Sequence, residues 1–216
     1  MKENLMELVF IIDRSGSMAG LERDTIDGYN SFIQEQKKVE GEVTLSTVLF
    51  NDSFDVVHNR VDIRSVKPLT KNEYYAQGST ALLDAIGRSI VYIGERLEET
   101  KEEKRPSKVM FVITTDGMEN SSCEYTYKRI KEMIKHQTEI YSWEFLFLGA
   151  NIDAVGVAQD IGIRAERAVR YNNNSAGVRM NYNIMSNTVS KIREEDLFDE
   201  LWKSKIEEDY KKNNKK

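Results

Sequence analysis

Short apolar runs that alternate with amphipathic stretches of helical period restrict this chain to one kind of architecture. Leu8-Val9-Phe10-Ile11-Ile12 and Val109-Met110-Phe111-Val112-Ile113 are continuously apolar. Strands of that kind are covered on both faces, run parallel and are joined by helical crossovers. Met6 to Ile12 reads as the first strand. Ile26, Tyr29, Phe32 and Ile33 then recur at helical spacing, with Asp24 as the cap and Gly41 as the stop. Val43 to Phe50 and Asp55 to Ile63 flank Asn51-Asp52-Ser53, a hairpin loop, so one strand is an antiparallel edge. Leu82, Leu83, Ile86, Ile90, Ile93 and Leu97 form an apolar stripe on a helix that opens at Ala81 and ends in the solvated charge run Glu98 to Arg105. Ser121 and Glu124 have capping-box spacing ahead of a helix through Ile130, Met133 and Ile134. Ile140 to Leu148 reads as a buried strand. A short helix from Asp153, a strand at Ala168 to Tyr171 and a loop at Asn172-Asn173-Asn174 follow, then a last helix carrying Val178, Tyr182, Met185, Val189 and Ile192. The predicted fold is α/β: a doubly wound, mostly parallel sheet of about six strands with one antiparallel edge strand and helices on both faces.

At 216 residues, with 40 % hydrophobic and 31 % charged residues, the chain suits one soluble domain with a short extension. A net charge of -5 and the lack of a basic stripe argue against a nucleic-acid partner. The basic end, Lys211 to Lys216, reads as a solvated frayed tail. No apolar stretch approaches the roughly 20 residues of a membrane span. The single Cys123 forms no internal disulfide, and no charged-then-apolar leader is visible at the start, so a cytoplasmic location is expected.

Asp13-Arg14-Ser15-Gly16-Ser17 follows directly on the first apolar run. A carboxylate and two hydroxyls at alternate positions place three hard oxygen ligands at the carboxyl end of a buried strand, which is a cation site. Ligands of an open parallel sheet bind outside the carboxyl ends of its strands, where the strand order reverses. Gly78-Ser79-Thr80, before the second helix, and Thr114-Thr115-Asp116-Gly117, after the second apolar run, are expected to converge there. Thr80 is also placed to cap the helix that follows it. With no thiolate or imidazole among these groups, the expected ion is Mg²⁺ or Mn²⁺. Asp84, Glu119 and Asn120 are read as solvated surface residues in preference to braces of the site, and Cys123 as an inert small residue.

The D-x-S-x-S spacing, with Gly78-Ser79-Thr80 and Thr114-Thr115-Asp116-Gly117, resembles the metal-ion-dependent adhesion site (MIDAS) of von Willebrand factor A domains, and the resemblance runs over most of the chain. It is similar to the small intracellular bacterial or phage type. The resemblance implies an intact metal-ligand set of Asp13, Ser15, Ser17, Thr80 and Asp116. It also implies a protein partner that offers an Asp or Glu carboxylate, some members of the family working beside AAA+ ATPases and others in stress responses. On this reading residues 1–195 form the domain, and 196–216 form a helical extension with a basic disordered tail. Leu197, Phe198, Leu201 and Trp202 would pack back from a short helix within 194–202. Asp13→Ala or Ser15→Ala is expected to abolish binding without unfolding, the loop being exposed.

Other readings fail on the residues. A calcium-binding EF-hand from Asp13 to Asp24 has Met18 at the obligatory glycine, Asp24 for the bidentate glutamate and a strand leading in. The alternative function, a Mg²⁺-dependent phosphotransfer or hydrolytic enzyme using Asp13, needs a second aspartate where Ser15 stands. A hydrolase built on Ser15 or Ser17 has only His58, in the hairpin, and His136, at a helix end, as bases. No glycine-rich phosphate loop with Gly-Lys-Ser/Thr occurs. The expectation is a non-enzymatic, cation-dependent adaptor.

Overall fold

The structure, a computed structural model, describes residues 1–150, 152–195, 198–199 and 201–213. In chain order its main elements are β1 (Lys2–Asp13), α1 (Glu22–Gln36), β2 (Glu42–Phe50), β3 (Phe54–Asp62), α2 (Leu82–Glu98), β4 (Pro106–Thr115), α3 (Tyr127–Tyr141), β5 (Glu144–Ala150), α4 (Ala154–Asp160), β6 (Ala168–Tyr171), α5 (Ser175–Glu195) and α6 (Ser204–Asn213). The sheet has the order β3-β2-β1-β4-β5-β6. Among the described residues only β3 is antiparallel, paired with β2 at the edge.

The apolar runs are continuous because the central strands feed two cores. Leu8, Phe10 and Ile12 of β1 join Met110 and Val112 of β4 and Leu146 and Leu148 of β5 on the face covered by α1 and α5. Val9 and Ile11 join Phe111, Ile113, Phe145 and Phe147 on the opposite face, under α2, α3 and α4. Each fully buried side chain of this kind contributes about 1.5–3 kcal/mol. Glu7 breaks the apolar pattern within β1. It is 0 % exposed and receives Arg60 of β3 on both carboxylate oxygens, at 2.9–3.2 Å.

Several local expectations shift. Asp24 does not cap α1: it lies in the first turn and pairs with Arg179 of α5 at 2.7 Å, and α1 ends at Gln36, ahead of Gly41. Ser121 and Glu124 form no capping box. α3 starts at Tyr127 under the Thr126 hydroxyl, and Glu124 pairs with Arg88 of α2 instead. Ile140 and Tyr141 belong to α3 and are exposed, Ile140 at 63 %. Left-handed Ser142 closes that helix, so β5 begins only at Glu144.

At the carboxyl end the helix lies beyond the segment expected to hold it. Leu201 is 74 % exposed, whereas Trp202 and Ile206 are buried in the α1 and α5 core, and Phe198 packs against it. Trp202 Nε1 donates to the Glu166 carbonyl, and Lys203 Nζ donates to the carbonyls of Ala165 and Ala168, which holds α6 beside β6. Lys211 and Lys212 sit on α6 rather than in a frayed tail. Leu197 and residues 214–216 lie outside the described residues. Among the described residues no helix is long and apolar enough to cross a membrane.

Candidate metal centre

Strand order reverses between β1 and β4, because the chain leaves β1 toward β2 and leaves β4 toward β5. The loops after these two strands therefore part and open a crevice at their carboxyl ends. Asp13 is the last residue of β1, and Asp116 follows the last residue of β4, with Ile12 paired to Thr114. A third segment is laced to the first by backbone bonds: Gly16 N–H to the Gly78 carbonyl at 3.0 Å, and Gln77 N–H to the Arg14 carbonyl at 2.9 Å. Gly78 has φ +74°, and a Cβ there would fall 2.6 Å from Asp52 Oδ1, so only glycine brings the segment this close. Thr80 is thereby set at the crevice one residue before Ala81, the N-cap of α2.

All five residues expected at the site come together. Ser15 Oγ and Ser17 Oγ are 3.0 Å apart, and Ser17 Oγ donates to Asp116 Oδ1 at 2.5 Å. The point where a Cβ on Gly117 would stand lies 3.0 Å from Thr80 Oγ1, 3.1 Å from Ser17 Oγ and 3.8 Å from Ser15 Oγ. Three hydroxyl oxygens thus face one small volume beside Gly117, which a side chain at that position would fill. Asp13, 0 % exposed, accepts from Ser15 N–H on Oδ1 and from the Thr115 hydroxyl on Oδ2, each at 2.6 Å. Asp116, 2 % exposed, accepts from Ser17 on Oδ1 and from Asn173 Nδ2 on Oδ2 at 3.1 Å. Each carboxylate oxygen keeps a further lone pair.

No cationic side chain is among the hydrogen-bond or ion-pair partners of either aspartate within the described residues. Arg14, next in sequence, turns away to Asp55, Ser53 and the Glu73 carbonyl. Buried charges are ordinarily paired or metal-bound. Two buried carboxylates and three hydroxyls without a basic partner therefore fit a hard divalent cation.

The electrostatics give this a pH signature. Burial, the largest effect, pushes the Asp13 carboxyl from 3.8 up to about 6 against hydrogen bonds from Thr115 and Ser15, with Asp116 adding to the rise. Burial also raises Asp116, opposed by Ser17 and Asn173. A folded-state acid with a raised pKa holds its proton more tightly than the unfolded chain. The metal-free protein thus has this contribution in full below about pH 4 and loses it as pH rises through about 6. A cation requires the ionised form, so Mg²⁺ affinity is expected to be about tenfold weaker at pH 5 than at pH 7. Calorimetric titration at the two pH values checks this, and equal affinities would contradict it.

Other expectations at the site are corrected. Thr80 caps no helix, since α2 has no side-chain cap on its N-cap residue. Glu119 supplies that function from the loop after β4, accepting from Leu83 N–H at 2.9 Å and from the N–H groups of Ser121 and Ser122. Asp84, 8 % exposed, accepts from the N–H groups of Cys123, Glu124 and Tyr125. Asn120, although exposed, exchanges two hydrogen bonds with the Thr80 backbone at 2.9 and 3.1 Å. None of the three is simply solvated: together they fasten the Asp116 loop to α2. The Asp13 loop is exposed only in part: Asp13, Arg14 and Ser15 are buried, whereas Gly16 and Ser17 are exposed. Thr115, Asn173 and Tyr74, whose hydroxyl donates to the Asp13 carbonyl at 2.7 Å, had no assigned role in the sequence reading.

No protein-family model matches the sequence, and no curated protein does. Solved structures do match. Von Willebrand factor type A from Catenulispora acidiphila is 13 % identical, with a TM-score of 0.57, over 88 % of this chain and 43 % of that one. Proximal thread matrix protein 1 from the mussel byssus, in a structure with a zinc-occupied MIDAS motif, is 14 % identical at a TM-score of 0.60 over 87 % of this chain and 46 % of that one. The chain has the von Willebrand factor A fold. A third match with this fold, the open conformation of the pilus adhesin SpaC from Lactobacillus rhamnosus GG, is 12 % identical at a TM-score of 0.62 over 88 % of this chain and 30 % of that one. This von Willebrand factor A fold protein thus spans less than half the length of each of these chains.

Proposed function

We propose that the protein is a divalent-cation-dependent protein-binding module, with Asp13, Ser15, Ser17, Thr80 and Asp116 as the metal ligands and no catalytic role. The observation that carries the reading is the convergence of two buried aspartates and three hydroxyls with no basic partner among the described residues. The zinc-occupied MIDAS motif of the byssus protein supports a divalent cation in this crevice. The all-oxygen set favours Mg²⁺ or Mn²⁺. Bound there, the cation supplies an open coordination position that an Asp or Glu carboxylate of a partner fills.

The residues divide the work by location. Asp13 and Ser15 lie at the floor, and Thr115 and the Ser15 N–H fix the plane of the Asp13 carboxylate. Gly16 and Ser17 are exposed at the rim, where a partner has access. The second aspartate that phosphotransfer from Asp13 would need is absent, Ser15 standing in its place. His58 is tied to Tyr29 and the Lys67 carbonyl on β3, and His136 lies against Tyr141 on α3, so neither histidine serves Ser15 or Ser17. The proposed setting is the cytoplasm, which the single cysteine supports. An AAA+ ATPase or a stress-response protein is the proposed class of partner, on the resemblance alone.

Affinity capture from lysate of the source cell tests the reading, with wild type and Asp13→Asn compared in Mg²⁺ and in EDTA. A protein retained only by wild type in Mg²⁺ is expected. Retention that is equal in all conditions would place the binding surface elsewhere.

A further inference from the structure

The loop between β6 and α5 reaches the crevice through one side chain. Asn173 Nδ2 donates to Asp116 Oδ2 at 3.1 Å, while Asn173 Oδ1 is buried without a hydrogen-bond partner among the described residues. Ser17 already holds the other Asp116 oxygen, so Asn173 completes the fixing of that carboxylate's plane. A buried acceptor without a donor is unfavourable. A water carried by a cation beside Asp116 would supply the missing donor.

The loop is itself held on two sides. Asn174 Oδ1 accepts from Gly177 N–H at 2.9 Å in the first turn of α5. A Cβ at Gly177 would fall 2.0 Å from the Asn172 carbonyl, so the loop lies tight on the helix. Asn172 Nδ2 donates to Asp209 Oδ2 of α6 at 2.6 Å, and the Arg170 guanidinium lies 5.0 Å above the Tyr210 ring of the same helix. An unbroken path of contacts therefore runs from α6 through Asn172 and Asn173 to Asp116.

We propose that Asn173 is a positioning residue of the metal site and that α6 sets the place of its loop, an inference that rests on the cation-site reading. Mg²⁺ titration calorimetry and thermal melts in EDTA on wild type, Asn173→Ala and Asp209→Ala test it. Asn173→Ala is expected to weaken Mg²⁺ binding about tenfold and Asp209→Ala about threefold. Melting temperatures in EDTA are expected to stay within about 2 °C of wild type. A purely structural role would do the reverse, lowering the melting temperature in EDTA with affinity unchanged, and that result would overturn the proposal. Wild-type affinity in Asp209→Ala alone would overturn the role given to α6. A wild-type protein that binds no Mg²⁺ would instead sink the cation-site reading itself, a result distinct from equal binding by wild type and Asn173→Ala.

Discussion

Asp13→Asn is expected to remove the stabilisation of this protein by Mg²⁺ while leaving it folded. At a free ion concentration about one hundred times the dissociation constant, wild type gains about 2.7 kcal/mol. For a chain of this size that is a rise of roughly 5–11 °C in melting temperature. Asparagine keeps the shape of Asp13, accepts from the Ser15 N–H and can donate to the Thr115 hydroxyl, whose proton is free to turn. It also removes a buried charge, so above about pH 6 the metal-free variant is expected to be at least as stable as wild type. Asp13→Ala is the poorer test, because it strands the Ser15 N–H at a site that is 0 % exposed, while the Thr115 hydroxyl keeps only its longer bonds to Gly117. Such a loss costs about 1–3 kcal/mol with or without metal. A Mg²⁺-dependent rise that survives in Asp13→Asn would contradict the assignment of Asp13.

Glu7→Ala is expected to give the largest loss of stability, with no change in metal affinity. Glu7 sits in β1 among apolar neighbours, and its carboxylate is held by Arg60 Nε and Nη2. Arg60 adopts φ +49° in β3, and its N–H donates to Ser46 Oγ, so the guanidinium is aimed at Glu7 by the irregular pairing of the edge strand. Removing one partner of a buried pair leaves the other uncompensated, which costs about 3–5 kcal/mol. The side chain of Arg60 is 23 % exposed and can turn toward water, so the lower end of that range is expected. The melting temperature should fall by at least about 6 °C. Glu7 lies about 20 Å along β1 from Asp13 at the usual rise per residue, too far to touch the cation site. Urea unfolding and Mg²⁺ titration of the same variant check both halves. A loss below about 1 kcal/mol would show that the pair breaks even against an apolar side chain.

The sheet was legible because two-sided burial leaves a plain mark. Val9 and Ile11 must be as apolar as Leu8 and Phe10 when both faces of β1 are covered. The edge hairpin was legible from its Asn51-Asp52-Ser53 turn. Helix starts were less so. Ser121 and Glu124 have the spacing of a capping box, but Glu119 and Asp84 take the nearby N–H groups and fasten the loop to α2, which delays α3 to Tyr127. Ile140 looks like strand by composition, yet Ser142 ends the helix only after it.

The five oxygen-bearing residues could be read because each lies at the end of an apolar run or the start of a helix, where topology fixes its destination. Asn173 carried no such mark. An Asn-Asn-Asn run has loop composition, and only the packing of β6 beside β5 sets it against a residue 57 positions earlier. Asn120 and Glu119 act through their contacts with α2, a relation between segments that spacing within one segment does not reveal.

Anomalous diffraction from crystals of the protein soaked in Mn²⁺ decides whether the crevice holds a cation. One strong peak is expected in the crevice beside Gly117, at roughly 2.0–2.3 Å from Ser15 Oγ and Ser17 Oγ, with Asp13, Thr80 and Asp116 around it. A crevice with no peak at saturating Mn²⁺, or a peak bound only by residues outside this set, would contradict it.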